Sequence, residues 1–243
     1  MMRKIEQVKS QKWFYEFKLP DGSLTESYLD EAARPIHETR KKVLQRHLEA
    51  YSPRYKTALD ISSHEGYFSL VLADFIKRVR GIDKNAESIA KARLITSLYK
   101  HEGLTFQKSP VEKMTAKSAA DFVLCYGLLY HVENPVQILR KLSEITTKTL
   151  CIETQVMPFE HSGQVEDGHY KWLRDVNGLF GLFIDYSHSA EGGLTDIAVV
   201  PSRRALEFLL KEFGFKTVDF YVPEHGDYEQ FTRHKRVILF AEK

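Results

Sequence analysis

From Thr57 onward, short apolar runs alternate with amphipathic stretches along the chain. Five runs, Thr57–Ile61, Val79–Asp83, Leu104–Gln107, Asp121–Tyr126 and Thr149–Val156, are short and apolar or β-branched, which predicts strands. Between them the period becomes that of a helix. Phe68, Val71, Leu72 and Phe75 share a face after the first run, and Ile89, Ala92, Ile95 and Tyr99 share one after the second. A further helix starts near Asn134, which can cap it. Pro135 suits its first turn, and Ile138, Leu139, Leu142 and Ile145 form its buried stripe. Such alternation predicts an α/β domain with a parallel sheet and right-handed connections.

Toward the end the pattern changes. Ser202 can cap a helix with Leu206, Leu209, Leu210 and Phe213 on one face, and Gly214 stands where that helix stops. The runs Lys216–Val222 and Arg236–Ala241 follow, joined by a polar loop too short for a crossover helix. The simplest joining is antiparallel, which puts a reversed strand in the sheet.

Two segments fall outside the alternation. Residues 1–56 carry the aromatic stretch W-F-Y-E-F-K-L-P, a turn at Asp21-Gly22, and a helix with Ile36, His37, Arg40, Val43, Leu44, Leu48 and Tyr51. They read as an N-terminal cap on a domain spanning 57–243. Residues 157–200 are rich in Gly, His and aromatics without a clear period, and read as a lid inserted before the last helix.

Composition narrows the classes. With 243 residues, 43% of them apolar, there is ample material for a core. Thirty-five Lys and Arg against thirty-three Asp and Glu leave a formal net charge of +2, so no global imbalance points to a polyanion partner. Cys125 and Cys151 sit inside strand-like runs and read as buried small hydrophobes. No run approaches the roughly 18 apolar residues of a membrane span, and the start M-M-R-K-I-E-Q-V-K-S lacks the apolar stretch of a signal peptide. The expectation is a protein of a reducing cytoplasm. The ten His are scattered without metal-ligand spacing, so no metal is expected.

The segment A-L-D-I-S-S-H-E-G-Y-F-S, residues 58–69, is the most informative. A strand stops at Asp60, turns through small and polar residues, and enters a helix. The start of such a helix offers free backbone N–H groups beside a crevice suited to a nucleotide. Gly66 is the glycine that lets helix and ligand come close, whereas Ser62 and His64 stand where such loops usually carry glycine. Asp83 ends the second strand, twenty-three residues after Asp60, where an acid can accept both hydroxyls of a ribose or cap the next helix.

The order of L-D-I-S-S-H-E-G-Y-F-S, V-R-G-I-D-K-N and A-D-F-V-L-C-Y-G-L-L-Y-H-V-E-N-P, with the final reversed strand pair, resembles the class I S-adenosylmethionine-dependent methyltransferases over roughly residues 55–243. G-L-L-Y-H-V-E-N-P and V-V-P-S-x-x-A-L-x-x-L-L-K-E-F-G-F look like the branch containing tRNA wobble-uridine alkyl-transferring enzymes and small-molecule relatives.

The resemblance implies a doubly wound, seven-stranded, mostly parallel Rossmann-like sheet with the last strand antiparallel. It implies S-adenosylmethionine as cofactor and S-adenosylhomocysteine as product. Asp60 is then expected near the ammonium end of the cofactor, with Ser62, Ser63, His64 and Gly66 in its loop, Asp83 and Lys84 at the ribose, Val111 and Glu112 at the adenine, and Tyr126 at the rim. The departures at Ser62 and His64 leave two readings, an active variant loop or a silent relative.

The acceptor belongs beside Tyr126–His131. His131 has the titration range of a general base and Tyr130 can orient a substrate, although His131 can equally belong to the strand-to-helix junction. His37 and Arg40 share a helix face and could hold an anionic or hydroxylated group, or simply form an exposed polar face. His169, Tyr170 and Trp172 offer stacking surfaces in the insert. The expected activity is methyl transfer to an oxygen or nitrogen of a small or medium-sized acceptor, the alternatives being a tRNA base and a silent protein that kept the fold.

Overall fold

The computed structural model describes residues 2–167, 172–186 and 195–243. Its centre is a seven-stranded sheet of β1 (Thr57–Ile61), β2 (Arg78–Asp83), β3 (Leu104–Lys108), β4 (Ala120–Tyr126), β5 (Thr146–Gln155), β6 (Thr217–Phe220) and β7 (Arg236–Glu242). The spatial order is β6-β7-β5-β4-β1-β2-β3. Strands β1 to β5 pair in parallel, while β7 runs antiparallel to both β5 and β6. The reversed strand expected from the sequence is therefore β7, set inside the sheet with β6 at the edge.

The strands read as nearly continuous apolar runs because both faces of the sheet are covered. Along β4, Phe122 and Leu124 enter one core while Val123 and Cys125 enter the other. On the second face lie α5 (Pro135–Ile145) and α6 (Arg203–Glu212), capped by Asn134 and Ser202 as expected. On the first face, α3 (Tyr67–Ala73) packs with the N-terminal residues: Trp13, Phe17, Leu44 and Leu48 share one core with Phe68, Leu72 and Phe122.

In the N-terminal segment, α1 (Met2–Lys9) precedes a short parallel ribbon of Lys12–Trp13 with Glu26–Ser27, Lys18 and Leu24 form an antiparallel bridge, and the turn forms at Asp21-Gly22. The helix α2 (Pro35–Tyr51) follows.

The insert is more regular than its sequence predicts. Ser162–Asp167 pairs antiparallel with Trp172–Asn177, and Phe180–Ile184 with Ile197–Pro201. The strand signal of Phe180–Ile184 is hidden because its Leu182 and Ile184 are exposed and no buried face imposes an alternation on that strand, although Ala198 and Val200 of its partner are buried. Among the described residues, no helix is long and apolar enough to cross a membrane.

Strand order reverses between β1 and β4, which opens the crevice of a doubly wound sheet at the carboxyl ends of these strands. Asp60, Asp83 and Tyr126 all lie at those ends. Because β7 is reversed, its first residue pairs with the end of β5, Arg236 opposite Gln155, and so reaches the same edge.

Candidate active site

The loop after β1 makes three left-handed turns, at Ser62 (φ 58°), His64 (φ 48°) and Gly66 (φ 82°). Two of them are made without glycine, at a cost of about 1–2 kcal/mol each. Hydrogen bonds offset this: Ser63 N–H donates to Ile82 O (2.9 Å), and His64 N–H to Oδ2 of Asp83 (3.0 Å). Gly66 has no alternative. A Cβ there would stand 2.8 Å from Cζ of Phe106 and 3.2 Å from Cβ of Ala92, so the loop could not lie on β3 and α4 (Ala86–Thr96).

The His64 ring turns to the N-terminal segment, edge-on to Phe14 at 5.2 Å and Tyr15 at 5.9 Å, with Nδ1 buried and unpartnered. Its neighbour Glu65 is wholly buried. Its carboxylate accepts the backbone N–H groups of Phe14 (2.8 Å) and Tyr15 (3.4 Å) and pairs with Lys91 (3.1 Å). Glu65 is thus the peg that fastens residues 14–15 over the loop, a role the sequence reading missed.

Asp60 is buried, and Ser69 Oγ donates to it at 2.6 Å. Burial pushes its pKa up to about 7, the Ser69 hydroxyl opposes this, and the Asp83 carboxylate adds to it. Among the described residues no cation pairs with it. The Ser63 hydroxyl beside it in the loop is also buried without a partner.

Asp83 accepts His64 N–H on one oxygen and Asn85 N–H (2.8 Å) on the other, and each oxygen keeps a second lone pair. The helix cap considered for Asp83 belongs to Asn85, which accepts from Glu87 N–H. Lys84 is exposed beside it. Ser109 N–H donates to Asp83 O (2.9 Å), which brings Ser109–Val111 alongside. The Val111 side chain packs in the core with Ile61 and Ile82, and Glu112 is exposed in a short turn rather than starting a long helix. Tyr126 does not join the site by its side chain. Its ring packs edge-on to Phe68 and its hydroxyl accepts from Cys151 Sγ at 3.5 Å, in the interior.

Tyr130 and His131 lie in a short turn beyond β4. Nδ1 of His131 is 2.6 Å from Oδ1 of Asp185, a residue of the insert. Burial lowers the His131 pKa and Asp185 works against that, so the ring is neutral at neutral pH.

His37 and Arg40 are not on an exposed face, as the helix pattern alone allowed; both are buried under the N-terminal segment. Arg40 Nη2 is 2.5 Å from Oε2 of Glu153, and Arg236 Nη1 is 2.9 Å from its Oε1. The Arg236 guanidinium also lies over the Tyr130 ring at 4.5 Å. His37 packs on Tyr15, and burial, with Arg40, His64 and Arg236 nearby, drives its pKa down to about 3. Its two ring nitrogens have no partner. His169 and Tyr170 lie outside the described residues, and Trp172 is described by its backbone alone.

An acid near the end of the first strand, a tight loop into a helix, a second acid at the next strand and a crevice at the switch point are the parts from which doubly wound folds build a nucleotide site. The profile of the methyltransferase domain family matches residues 54–177. The chain belongs to this methyltransferase family. It is an enzyme of a family whose cofactor is S-adenosylmethionine.

No curated protein sequence matches the chain. Among solved structures, the N-terminal domain of EvdMO1 with SAH bound superposes with a TM-score of 0.71 at 16% identity, covering 100% of this chain and 97% of that one. The same domain in the presence of SAH and D-fucose gives 0.68 at 17%, covering 99% and 94%. Magnesium protoporphyrin IX methyltransferase from Synechocystis PCC 6803 with bound SAH gives 0.60 at 12%, covering 100% and 94%. At these identities the likeness is one of fold.

The residues present suit the cofactor. A buried acid without a cation matches its ammonium group, and the unpartnered Ser63 hydroxyl and the spare lone pairs of Asp83 match its polar edges.

Proposed function

We propose that this protein transfers the methyl group of S-adenosylmethionine to a hydroxyl oxygen of a small acceptor, with His131 as the base. The observation that carries this reading is the His131–Asp185 pair at the end of β4. When bound, the cofactor supplies an electrophilic methyl group on a sulfonium. Asp60 holds its amine, the 62–66 loop its methionine part, Asp83 with Lys84 its ribose, and Ser109–Glu112 border its adenine.

A sulfonium donor needs alignment and exclusion of water more than acid–base help. Positioning alone can contribute on the order of 7–11 kcal/mol. A base matters when the nucleophile is a hydroxyl, whose proton must leave as the oxygen attacks. With the His131 ring neutral and its Nδ1 held against Oδ1 of Asp185, Nδ1 carries the proton toward Asp185, and Nε2 is the acceptor for the hydroxyl proton. Tyr130, packed against His131 at 4.2 Å between ring centroids, orients the acceptor.

A small acceptor is favoured over a tRNA base. A groove whose lining includes Lys77, Arg78, Arg93 and Lys100 lies at the amino ends of β2 and β3, on the opposite edge of the sheet from the crevice. A hydroxylated small molecule, D-fucose, was present with the similar EvdMO1 domain.

The test is thermal denaturation with S-adenosylhomocysteine, followed by methyl transfer from labelled S-adenosylmethionine to matched alcohol and amine acceptors. At about 100 times its dissociation constant the product stabilises the fold by roughly 2.7 kcal/mol. No shift, or label only in the amines, rejects the reading.

A further inference from the structure

We infer that the acceptor carries a carboxylate, held by Arg40 and Arg236 beside Tyr130. This rests on the methyl-transfer reading above and adds the acceptor's class. Two guanidinium groups, both buried, share the single carboxylate of Glu153. Among the described residues, their charges sum to one uncompensated positive charge in the interior. Neither guanidinium has another acid partner among those residues; the polar groups around the pair include the hydroxyls of Tyr130 and Tyr15 and the neutral amide of Gln230, whose Oε1 accepts from Arg236 Nε at 2.6 Å. A buried cation without a counter-charge is costly to the fold, and a site that keeps one is built for an anion.

The geometry suits a planar monoanion. Arg40 Nε is buried without a partner, so its guanidinium has an unused donor. His37, one turn away on α2, keeps both ring nitrogens unpartnered; as a neutral ring it can donate to one oxygen and accept from a hydroxyl. Gly127 brings bare backbone beside the pair: a Cβ there would crowd the Tyr130 hydroxyl at 3.3 Å and stand 3.8 Å from Arg40 Nη2. The ring of Tyr130, with Arg236 over its face, supplies a flat wall. One surplus charge matches a carboxylate better than a phosphate dianion, and the fork of an arginine matches its two oxygens.

The cluster also stands next to the proposed base. Tyr130 touches both Arg236 and His131, so a carboxylate in the clamp places a neighbouring hydroxyl toward His131.

The test uses the full chain saturated with S-adenosylhomocysteine, titrated with benzoate, benzamide or phenyl phosphate and followed by thermal denaturation and calorimetry. Benzoate should raise the midpoint and show saturable binding, with benzamide at least tenfold weaker. Arg236→Gln should abolish the benzoate response. That variant leaves Arg40 and Glu153 as a balanced pair, so it should fold and still bind S-adenosylhomocysteine. Arg236→Lys, which keeps the charge and loses the fork, should retain a weakened response. Equal binding of benzoate and benzamide, no binding of either, or benzoate binding unaffected by Arg236→Gln overturns the inference. Tighter binding of phenyl phosphate overturns it in favour of a phosphate site. A protein that ignores S-adenosylhomocysteine fails the underlying reading instead.

Discussion

Nδ1 of His131 and Oδ1 of Asp185 meet at 2.6 Å across 54 residues of chain, joining the turn after β4 to the inserted ribbon. The pair fixes the tautomer and orientation of the ring and opposes the fall in its pKa caused by burial. His131→Ala should lower kcat by about 10²–10⁴-fold with cofactor affinity retained. In the wild type, kcat/KM should rise with pH along an acid limb centred below the ordinary histidine value and then level. Asp185→Asn removes an upward push, so the limb should move to lower pH while the plateau falls. A pH–rate profile of the two variants checks this; an unmoved limb in Asp185→Asn removes Asp185 from the mechanism.

Asp60 gives a second pH signature. Its pKa in the fold, about 7, lies above the unfolded-state value of about 3.9, so the free protein holds a proton there that the unfolded chain has lost. Stability contributed by that proton is present at low pH and is lost as pH rises through about 7. A cationic amine favours the ionised form. Cofactor binding at pH 6 should therefore release a proton, and affinity should grow with pH until about 7. Calorimetry in buffers of different ionisation enthalpy measures the release. Asp60→Asn should abolish it and weaken binding by about 1.5–3 kcal/mol.

The backbone angles of the loop separate its three turn residues. Ser62→Gly relieves a left-handed serine and should stabilise the fold by up to about 1 kcal/mol. Gly66→Ala drives a Cβ into Phe106 and should cost about 1–3 kcal/mol. Urea denaturation of both variants reads the sign directly.

Glu65→Ala removes the acceptor of two backbone N–H groups, one of them buried, and the partner of Lys91. The expected loss is about 3 kcal/mol. Limited proteolysis should then cut near Phe14 in the variant before the wild type. Equal cleavage would show that the aromatic packing alone holds the segment.

The sheet was legible because its strands are buried on both faces, so Leu59, Val123, Leu124 and Ile152 announce themselves without tertiary information. Asn134 and Ser202 carried their own cap signals. The positions of Asp60 and Asp83 at strand ends and of Gly66 in the turn were readable from local spacing. What escaped were the long-range pairs. Glu153 is an acid inside an apolar strand, and that alone signals partners; nothing local says they are Arg40 and Arg236. Asp185 sits in an insert whose strands expose large apolar residues, so no periodicity singled it out. Tyr126 was placed at the rim by its position, yet its ring turns inward.

The two amide protons held by Glu65 carry one more consequence. They belong to residues 14 and 15, while the acid that holds them sits between His64 and Gly66 in the loop after β1. Their hydrogen-exchange rates therefore report on the loop from a distant stretch of the chain. An isotope-exchange record at Phe14 and Tyr15, taken with and without S-adenosylhomocysteine, turns the N-terminus into a built-in gauge of whether the nucleotide crevice is settled or breathing.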